Sequence, residues 1–226
     1  MSVPNILATR YASAAMRSIW TPENKIRAER RLWLTVMEAQ ADLGVSFGGD
    51  DPEQVLADYQ AVLDDVDLDS IAEREAITRH DVKARIEEFN ALAGHEHIHK
   101  GMTSRDLTEN IEQMQVLESL RLVRDKMVAT LNQLSRLAAQ FSDQAIAGRS
   151  HNVAAQVTTL GKRFATAIDE MLVAWDHVNE LIERYPARGI KGPMGTAQDM
   201  LDLLGGDESK LCLLYTSPSP RDKRQS

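Results

Sequence analysis

The sequence contains one cysteine, Cys212, and nothing that would place it in an oxidising compartment or in a membrane. A single cysteine excludes an intrachain disulfide and a cysteine-rich metal site. The first residues lack the charged leader and apolar core of a secretory signal, and no apolar run approaches the length that crosses a bilayer. Acidic residues outnumber lysine and arginine by 34 to 26, and the net charge of −8 gives no general reason to expect nucleic acid or an acidic membrane as a partner. These absences predict a cytoplasmic protein in which any anionic ligand meets a local cluster of basic residues.

Helical spacing dominates the sequence, and no alternating strand pattern competes with it in the first half. Thr21-Pro22-Glu23 predicts a helix start, with a capping hydroxyl, a proline in the first turn and an acid near the positive end of the helix dipole. Two long segments, 107–141 and 153–185, carry apolar residues at steps of three or four. They predict unusually long helices and an all-α fold of the bundle type. Such helices cannot bury their apolar faces on each other alone, so we expect further helices or partner subunits to cover them.

These patterns divide the chain into three parts. A small helical N-terminal domain is predicted for residues 1–106, followed by part of a long-helix bundle domain in residues 107–210. Glycine and proline between residues 188 and 196 break the helical pattern, and Ala197 to Leu204 predicts a short helix that ends at Gly205-Gly206. Residues 211–226 lose the helical period, and we interpret them as a disordered, non-native tail that arose from a frame error or from cloning.

Four polar clusters interrupt the helical background and could bind an anion or move a proton. Arginine can grip a phosphate or carboxylate through paired hydrogen bonds, and a carboxylate can hold a neighbouring histidine in one orientation. Hydroxyl and N–H groups at a helix start form an anion site. The clusters are Arg10-Tyr11, Arg79-His80-Asp81, Thr103-Ser104 at the start of the first long segment, and His151 with Gln156 and Thr158 at the predicted start of the second. Each also has a purely structural interpretation, as a solvated surface or a helix cap.

The segment His95-Glu96-His97-Ile98-His99 fits the H-E-x-x-H pattern of zinc peptidases. That chemistry needs both outer histidines on one helical face, a third ligand and a glutamate placed as a base. Gly94 precedes the motif and Gly101 follows it, so we expect no stable helix through it, and no downstream ligand stands out. We therefore expect no metal in the active site and keep the zinc peptidase only as an alternative.

Several segments together resemble the adenylosuccinate lyase family of the fumarase/aspartase superfamily, in its actinobacterial type. They are RHDVKARIEEFNALAGHEH from Arg79, HKGMTSRDLTEN from His99, GRSHNVAAQVTTLGKR from Gly148 and RGIKGPMGTAQDML from Arg188. The resemblance covers about residues 1–210, as an N-terminal fragment with a non-family tail. It implies an α-helical fold, with a small N-terminal domain and a long-helix domain that forms the core of a homotetramer. Each active site in this family is assembled from segments of three subunits.

The resemblance also implies an activity: elimination of fumarate from adenylosuccinate to give AMP, and from the succinylated ribotide SAICAR to give AICAR, in purine biosynthesis. No metal or organic cofactor is implied. His151 and His80 would be catalytic, with His151 as the acid that protonates the departing nitrogen. Substrate binding would fall to Arg10, Tyr11, Arg79, His80 and Asp81 at the phosphate region, to Thr103 and Ser104 at the succinyl group, and to Gln156 and Thr158 as pocket residues.

The family's base is a serine in a mobile loop that reads S-S-x-M-P-x-K-x-N, and no such sequence occurs in the 226 residues. We therefore predict no measurable lyase activity for the isolated chain. A non-catalytic helical fragment that oligomerises or binds nucleotide is the alternative function. Other lyases of the superfamily, such as those that act on argininosuccinate, are a further alternative.

Overall fold

A computed structural model describes residues 5–216, and within them it confirms a helical fold with one small β-hairpin. In chain order the elements are a π-helix (Leu7–Tyr11), α1 (Ala14–Ile19), α2 (Pro22–Asp42), α3 (Pro52–Ala61), α4 (Leu68–Thr78), α5 (Asp81–Ala93), α6 (Ser104–Gln140), β1 (Ala145–Ser150), β2 (Val153–Thr159), α7 (Leu160–Arg184), α8 (Gln198–Leu203) and α9 (Glu208–Thr216). None of the described helices combines the length and the apolar character that crossing a bilayer requires. The chain forms two compact units, which are residues 1–115 with 187–226 and residues 116–186.

The helices of the first unit begin and end where the sequence supplies caps. Thr21 Oγ1 accepts a hydrogen bond from the Asn24 N–H at 3.3 Å, and Pro22 occupies the first turn, which confirms the predicted start of α2. α4 ends at Arg79, and His80 then caps α5. α5 ends at Gly94, whose φ of 77° glycine adopts without strain. The polar cluster 79–81 and the histidine-rich segment 95–99 therefore lie at helix ends.

The main core of the first unit lies between α2, α3 and α5. The rings of Trp33 and Phe89 stack with centroids 6.3 Å apart, and the Tyr59 ring meets that of Phe89 edge-on at 4.9 Å. Arg30 is buried beside them, where its Nη2 lies 2.6 Å from Glu88 Oε2 and its guanidinium lies 4.4 Å from the centre of the Phe89 ring. A buried charge is costly without a partner, so Arg30 and Glu88 hold α2 and α5 together as a pair.

The last part of the first unit is more ordered than the sequence predicted. α8 confirms the predicted short helix, but residues 211–216, which we expected to be disordered, belong to α9. Leu214 is buried and packs in one cluster with Val36, Met200 and Leu204. The expectation was wrong for these residues because an apolar run without helical periodicity can still fold when it finds a surface to pack on. Residues 217–226 of the predicted tail lie outside the described residues.

The second unit contains a β-hairpin where the sequence predicted the start of a long helix. β1 and β2 pair antiparallel, and the two turn residues, His151 and Asn152, have φ of 52° and 64°. Positive φ at both positions is typical of a type I′ turn, whose twist matches that of the strands it joins. The predicted helix is therefore wrong from Val153 to Thr159, and His151 lies in a hairpin turn and not at a helix start.

α7 begins after this hairpin and packs against the end of α6. Thr159 Oγ1 caps it by accepting a hydrogen bond from the Lys162 N–H at 3.1 Å. The Gly161 N–H donates to the Phe141 carbonyl oxygen at 2.8 Å, a close approach that only a residue without a Cβ permits. Many apolar side chains of this unit remain uncovered, and those exposed over 43–55% of their surface are Val128, Leu172, Val173 and Leu181.

The two compact units differ from the predicted domains 1–106, 107–210 and 211–226. The first turns of α6 lie in the first unit together with residues 187–216, while the rest of α6 lies with the hairpin and α7. The physical reason is that the glycine-rich segment after α7 packs on the start of α6. The Asn110 side chain, for example, exchanges hydrogen bonds of 3.0 Å with both the carbonyl oxygen and the N–H of Gly189.

Candidate active site

Two of the predicted clusters come together in the first unit, at the starts of α5 and α6. His80 Nε2 lies 3.4 Å from Ser104 Oγ, although the two residues are far apart in the sequence. The other ring nitrogen, Nδ1, accepts a hydrogen bond from the Lys83 N–H at 3.2 Å and so caps α5. Since Nδ1 accepts, the proton of the neutral ring is on Nε2 and can be donated to Ser104. The cap thus fixes both the orientation and the tautomer of His80.

Asp81, next to His80, is held by an arginine of the same helix. Arg85 Nη2 donates to Asp81 Oδ2 at 2.8 Å, and Arg85 Nε lies 2.8 Å from the buried carboxylate of Glu29. Partial burial, the largest single influence, would raise the pKa of the Asp81 carboxyl, but the Arg85 guanidinium, the Val82 N–H and His80 together lower that pKa. Asp81 is therefore ionised at neutral pH and placed to orient its neighbours.

Thr103 and Ser104 are positioned by a fully buried carboxylate, Asp106. Its Oδ2 accepts the Thr103 N–H at 2.9 Å, as the acid of a capping box does at a helix start. The same carboxylate accepts the N–H groups of Lys191 at 2.9 Å and Gly192 at 3.0 Å, and it pairs with the guanidinium of Arg188. Asp106 therefore joins the start of α6 to the glycine-rich segment that follows α7.

His99 belongs to this neighbourhood, although the sequence predicted no role for it beyond its place in the zinc pattern and at the start of a family-like segment. Its Nδ1 accepts a hydrogen bond from Trp33 Nε1 at 2.9 Å, and its backbone has a φ of 66°. Burial lowers the pKa of His99 to about 4, against an opposing influence of Asp106 and with a further lowering by His80. His99 is therefore neutral at physiological pH, and the proton of its ring is on Nε2. Its place two residues before Gly101, in the family-like phrase, was the available signal.

The zinc-peptidase pattern does not form its characteristic helix. Residues 95–97 lie outside any helix and residues 98–101 form a turn, so His95 and His99 do not share a helical face. His99 is instead bound to Trp33. The two histidines that do lie together are His95 and His97, whose ring centroids are 6.1 Å apart.

The predicted acid, His151, and its pocket residues lie on the hairpin of the second unit. His151 is exposed in the turn. Gln156 and Thr158 are two positions apart on β2 and so point to the same face of the hairpin. That face, with the start of α7, lines an open cavity to which Arg149, Gln156, Thr158, Lys162 and Arg163 contribute. Three cations beside two polar side chains suit an anionic ligand.

Arg10 and Tyr11 form the end of the π-helix that opens the described part of the first unit. Both side chains are exposed, Tyr11 over 74% of its surface. Ala8, which precedes them in the same helix, accepts a hydrogen bond at 3.5 Å from Nη1 of Arg17, a residue of α1. The structure thus leaves the guanidinium of Arg10 and the phenol of Tyr11 directed to solvent, and their role in binding stays a prediction.

Comparison with known proteins identifies the family of the chain. A family profile with the description "Lyase" matches residues 9–200. The chain is 33% identical to the adenylosuccinate lyase of Saccharomyces cerevisiae over 211 residues and 34% identical to that of Schizosaccharomyces pombe over 210 residues. Each comparison covers 91% of this chain and 43% of the relative, so the chain spans less than half the length of these relatives.

A solved structure supports the fold independently. The crystal structure of a fumarate lyase from Mesorhizobium sp. BNC1 superposes with a TM-score of 0.73 at 22% identity, over 88% of this chain and 48% of that one. At this identity the likeness establishes the helical fold alone. Together with the family profile and the relatives, it leads to one conclusion: the chain belongs to the lyase family, within the fumarase/aspartase superfamily.

Proposed function

We propose that this chain contributes the substrate-binding elements of an adenylosuccinate lyase, which eliminates fumarate from adenylosuccinate to give AMP and from SAICAR to give AICAR. The observation that carries the proposal is the contact between His80 and Ser104, which joins two family-like segments at two helix starts. The similarity to two adenylosuccinate lyases over 91% of the chain supports the same substrates.

The chemistry of the first unit suits the anionic ends of such a substrate. The first turn of a helix directs N–H groups and a partial positive charge at an anion, and α6 begins at Ser104, directly after Thr103. These two residues suit a succinyl carboxylate. Arg79, His80 and Asp81, with Arg10 and Tyr11, would bind the phosphate region of the nucleotide. Asp106 acts through Thr103, because it fixes the backbone and does not reach outward itself.

The elimination needs an acid for the departing nitrogen and a base for a carbon-bound proton. His151 is the proposed acid, since an imidazole can carry a proton at neutral pH and this ring is exposed in the hairpin turn, with Gln156 and Thr158 on the adjoining face. His80 would assist as the second catalytic imidazole. The resulting carbanion is stabilised by its carboxylate, which fixed donors would hold. No cofactor is required.

The 226 residues contain no S-S-x-M-P segment to supply the base. We therefore expect the isolated chain to release no measurable fumarate from adenylosuccinate. Release at a rate typical of an enzyme, of order 10 per second, would contradict this expectation.

Assembly into a homotetramer forms part of the proposal, and a non-catalytic oligomerisation fragment remains the second candidate function. Both are favoured by the same observation, the uncovered apolar side chains on α6 and α7. Sedimentation of the purified chain would measure its mass in solution. A monomer at all concentrations would contradict both assembly proposals.

Nucleotide binding separates the lyase proposal from a fragment that only assembles. Calorimetric titration of the 226-residue chain with adenylosuccinate should show binding, and His80→Gln or Ser104→Ala should each weaken it by about tenfold, the effect of one lost hydrogen bond to a charged group. His177→Gln is the matched control, because His177 is an exposed histidine of α7. Absence of binding by a folded chain would contradict the proposal. The cytoplasmic location follows the same proposal and stays a prediction.

A further inference from the structure

A second histidine cluster lies in the first unit and is not used by the proposed lyase chemistry. His97 Nε2 lies 2.9 Å from Asp50 Oδ2, and His95 Nδ1 lies 4.0 Å from the same oxygen. One possible ligand atom from each of the three residues lies within 4.8 Å of the other two. We propose that Asp50, His95 and His97 form a binding site for a divalent transition-metal ion, most suitably Zn²⁺.

The backbone that carries the two imidazoles is held rigidly. Gly94 ends α5, and the chain then runs outside any helix, so His95 and His97 are presented two residues apart. The Tyr59 hydroxyl, whose ring is buried, lies 2.9 Å from the His95 carbonyl oxygen and accepts the His97 N–H at 3.2 Å. The Phe47 ring packs on that of His97 with centroids 5.1 Å apart, and Phe47 also begins the loop that carries Asp50. Rigid elements of this kind make a site precise.

His95 already has the orienting partner that metal-binding histidines use. Its Nε2 donates to Asp58 Oδ2 at 2.8 Å, so its Nδ1 bears the lone pair and faces Asp50. Carboxylate–histidine–metal arrangements of this type fix the tautomer and raise the basicity of the ligand. His95 is therefore ready to bind a metal without a change of tautomer.

His97 must change its tautomer. Its Nδ1 accepts a hydrogen bond from Lys100 Nζ at 2.8 Å, so the ring proton is on Nε2 and directed at Asp50. When Nε2 binds the metal, the ring loses that proton and takes one up at Nδ1, with no net release. Nδ1–H cannot accept from an ammonium group, so Lys100 keeps its charge and swings into solvent. Lys100 thus competes with the metal for the His97 ring. This competition gives a test that distinguishes the proposed site from a simple surface ion pair.

The donor set selects the class of ion. Two imidazoles and one carboxylate suit Zn²⁺ and its neighbours, whereas Ca²⁺ and Mg²⁺ prefer oxygen ligands alone. A tetrahedral ion with bonds of about 2.0 to 2.1 Å places its ligand atoms about 3.3 Å apart. The two distances from Asp50 Oδ2, 2.9 and 4.0 Å, lie on either side of that value, and all three ligand atoms lie within 4.8 Å of one another, so side-chain rotations can bring them to it. Asp50 and both histidines line an open cavity with Glu96, from which water or that carboxylate can complete the coordination.

Such an ion would link the loop before α3 to the segment that leads into His99 and Thr103. It would stabilise the first unit and need take no part in elimination. The site does not depend on the proposed function, since nucleotide binding and metal binding use different residues.

The test is calorimetric titration of the 226-residue chain, stripped of metal by a chelator, with ZnCl₂. We expect one equivalent to bind, and CoCl₂ to give the visible absorption of tetrahedral Co²⁺. His95→Gln and His97→Gln should each weaken Zn²⁺ binding by at least about tenfold, and Asp58→Asn by about tenfold as an orienting residue. Lys100→Met should tighten it, and His177→Gln should leave it unchanged.

Three results would contradict the proposed metal site. Absence of binding by the folded chain, binding that survives both histidine substitutions, or weaker binding by Lys100→Met would each refute the site. Far-UV circular dichroism establishes that each variant is folded. If a histidine variant fails to fold, Asp50→Asn replaces it, because that side chain is exposed and contributes little to the core.

Discussion

Replacement of Asp106 by alanine tests whether the start of α6 and the glycine-rich segment 187–192 form one structure. The Asp106 carboxylate is fully buried and accepts backbone N–H groups from Thr103, Lys191 and Gly192 while pairing with Arg188. Alanine removes every acceptor at once, so the three N–H groups lose this partner, while the Arg188 guanidinium keeps Glu109 and the Gly192 carbonyl oxygen. The first unit would then lose one of the connections that hold its last segment in place, beside the hydrogen bonds between Asn110 and Gly189.

The magnitude follows from the donors that are left. A buried donor without a partner costs about 1–3 kcal/mol, and removal of one partner of a buried ion pair costs about 3–5 kcal/mol. Lys191 is exposed and Arg188 is only partly buried, so water replaces some of the lost bonds. We therefore expect Asp106→Ala to lower the free energy of unfolding by about 3–5 kcal/mol. Asp106→Asn should cost less, because its one carbonyl oxygen still accepts from part of this set.

Urea unfolding followed by far-UV circular dichroism measures this loss. Asp125→Ala is the matched control, since Asp125 is an acid of the same helix, is exposed and pairs only with the neighbouring Arg124 among the described contacts. It should change the free energy of unfolding by less than about 0.5 kcal/mol. A loss below about 1 kcal/mol for Asp106→Ala would refute the reasoning.

Two further predictions concern single buried positions. Burial raises the pKa of Glu29 from 4.5 to about 7, against the lowering influence of Arg85 and Lys25. As pH rises, the carboxyl of the unfolded chain therefore loses its proton before that of the folded chain. The free energy of unfolding should fall by up to roughly 3 kcal/mol as pH rises from about 4.5 to 7. Glu29→Gln should abolish that fall in urea unfolding across pH, and a profile equal to that of the parent would contradict the assignment. A Cβ at Gly161 would lie 2.5 Å from the Ala138 carbonyl oxygen, so Gly161→Ala should cost about 1–3 kcal/mol despite the better helix propensity of alanine. An unchanged or raised unfolding free energy would show that α6 and α7 are not in close contact there.

Local signals in the sequence were sufficient for the helices of the first unit. Thr21 and Pro22 mark the start of α2, and Gly205-Gly206 follows α8, because capping chemistry acts between residues that are close in the chain. The family-like phrases also placed His80 and Ser104 among the candidates before their contact was known.

Other features depend on contacts that the sequence does not display. Val153 and Val157 lie four residues apart and fit a helical stripe, but positive φ at His151 and Asn152 starts a hairpin instead. An Asn in a stretch rich in β-branched residues was the signal for that turn, and the helical spacing obscured it. Leu214 folds into a helix where it packs on Met200, and the partly buried position of His99 depends on Trp33, which is distant in the chain.

The central claim is that this chain carries the substrate-binding elements and the acid of an adenylosuccinate lyase. The most direct measurement is fumarate release by a chimera in which residues 1–210 precede the remaining part of the Schizosaccharomyces pombe adenylosuccinate lyase, which supplies a base. We predict that the chimera releases fumarate from adenylosuccinate. His151→Gln should slow this release by at least about 100-fold, the effect of removing a general acid, and His177→Gln should leave the rate unchanged. Unchanged release by His151→Gln, or release from argininosuccinate in place of adenylosuccinate, would contradict the central claim.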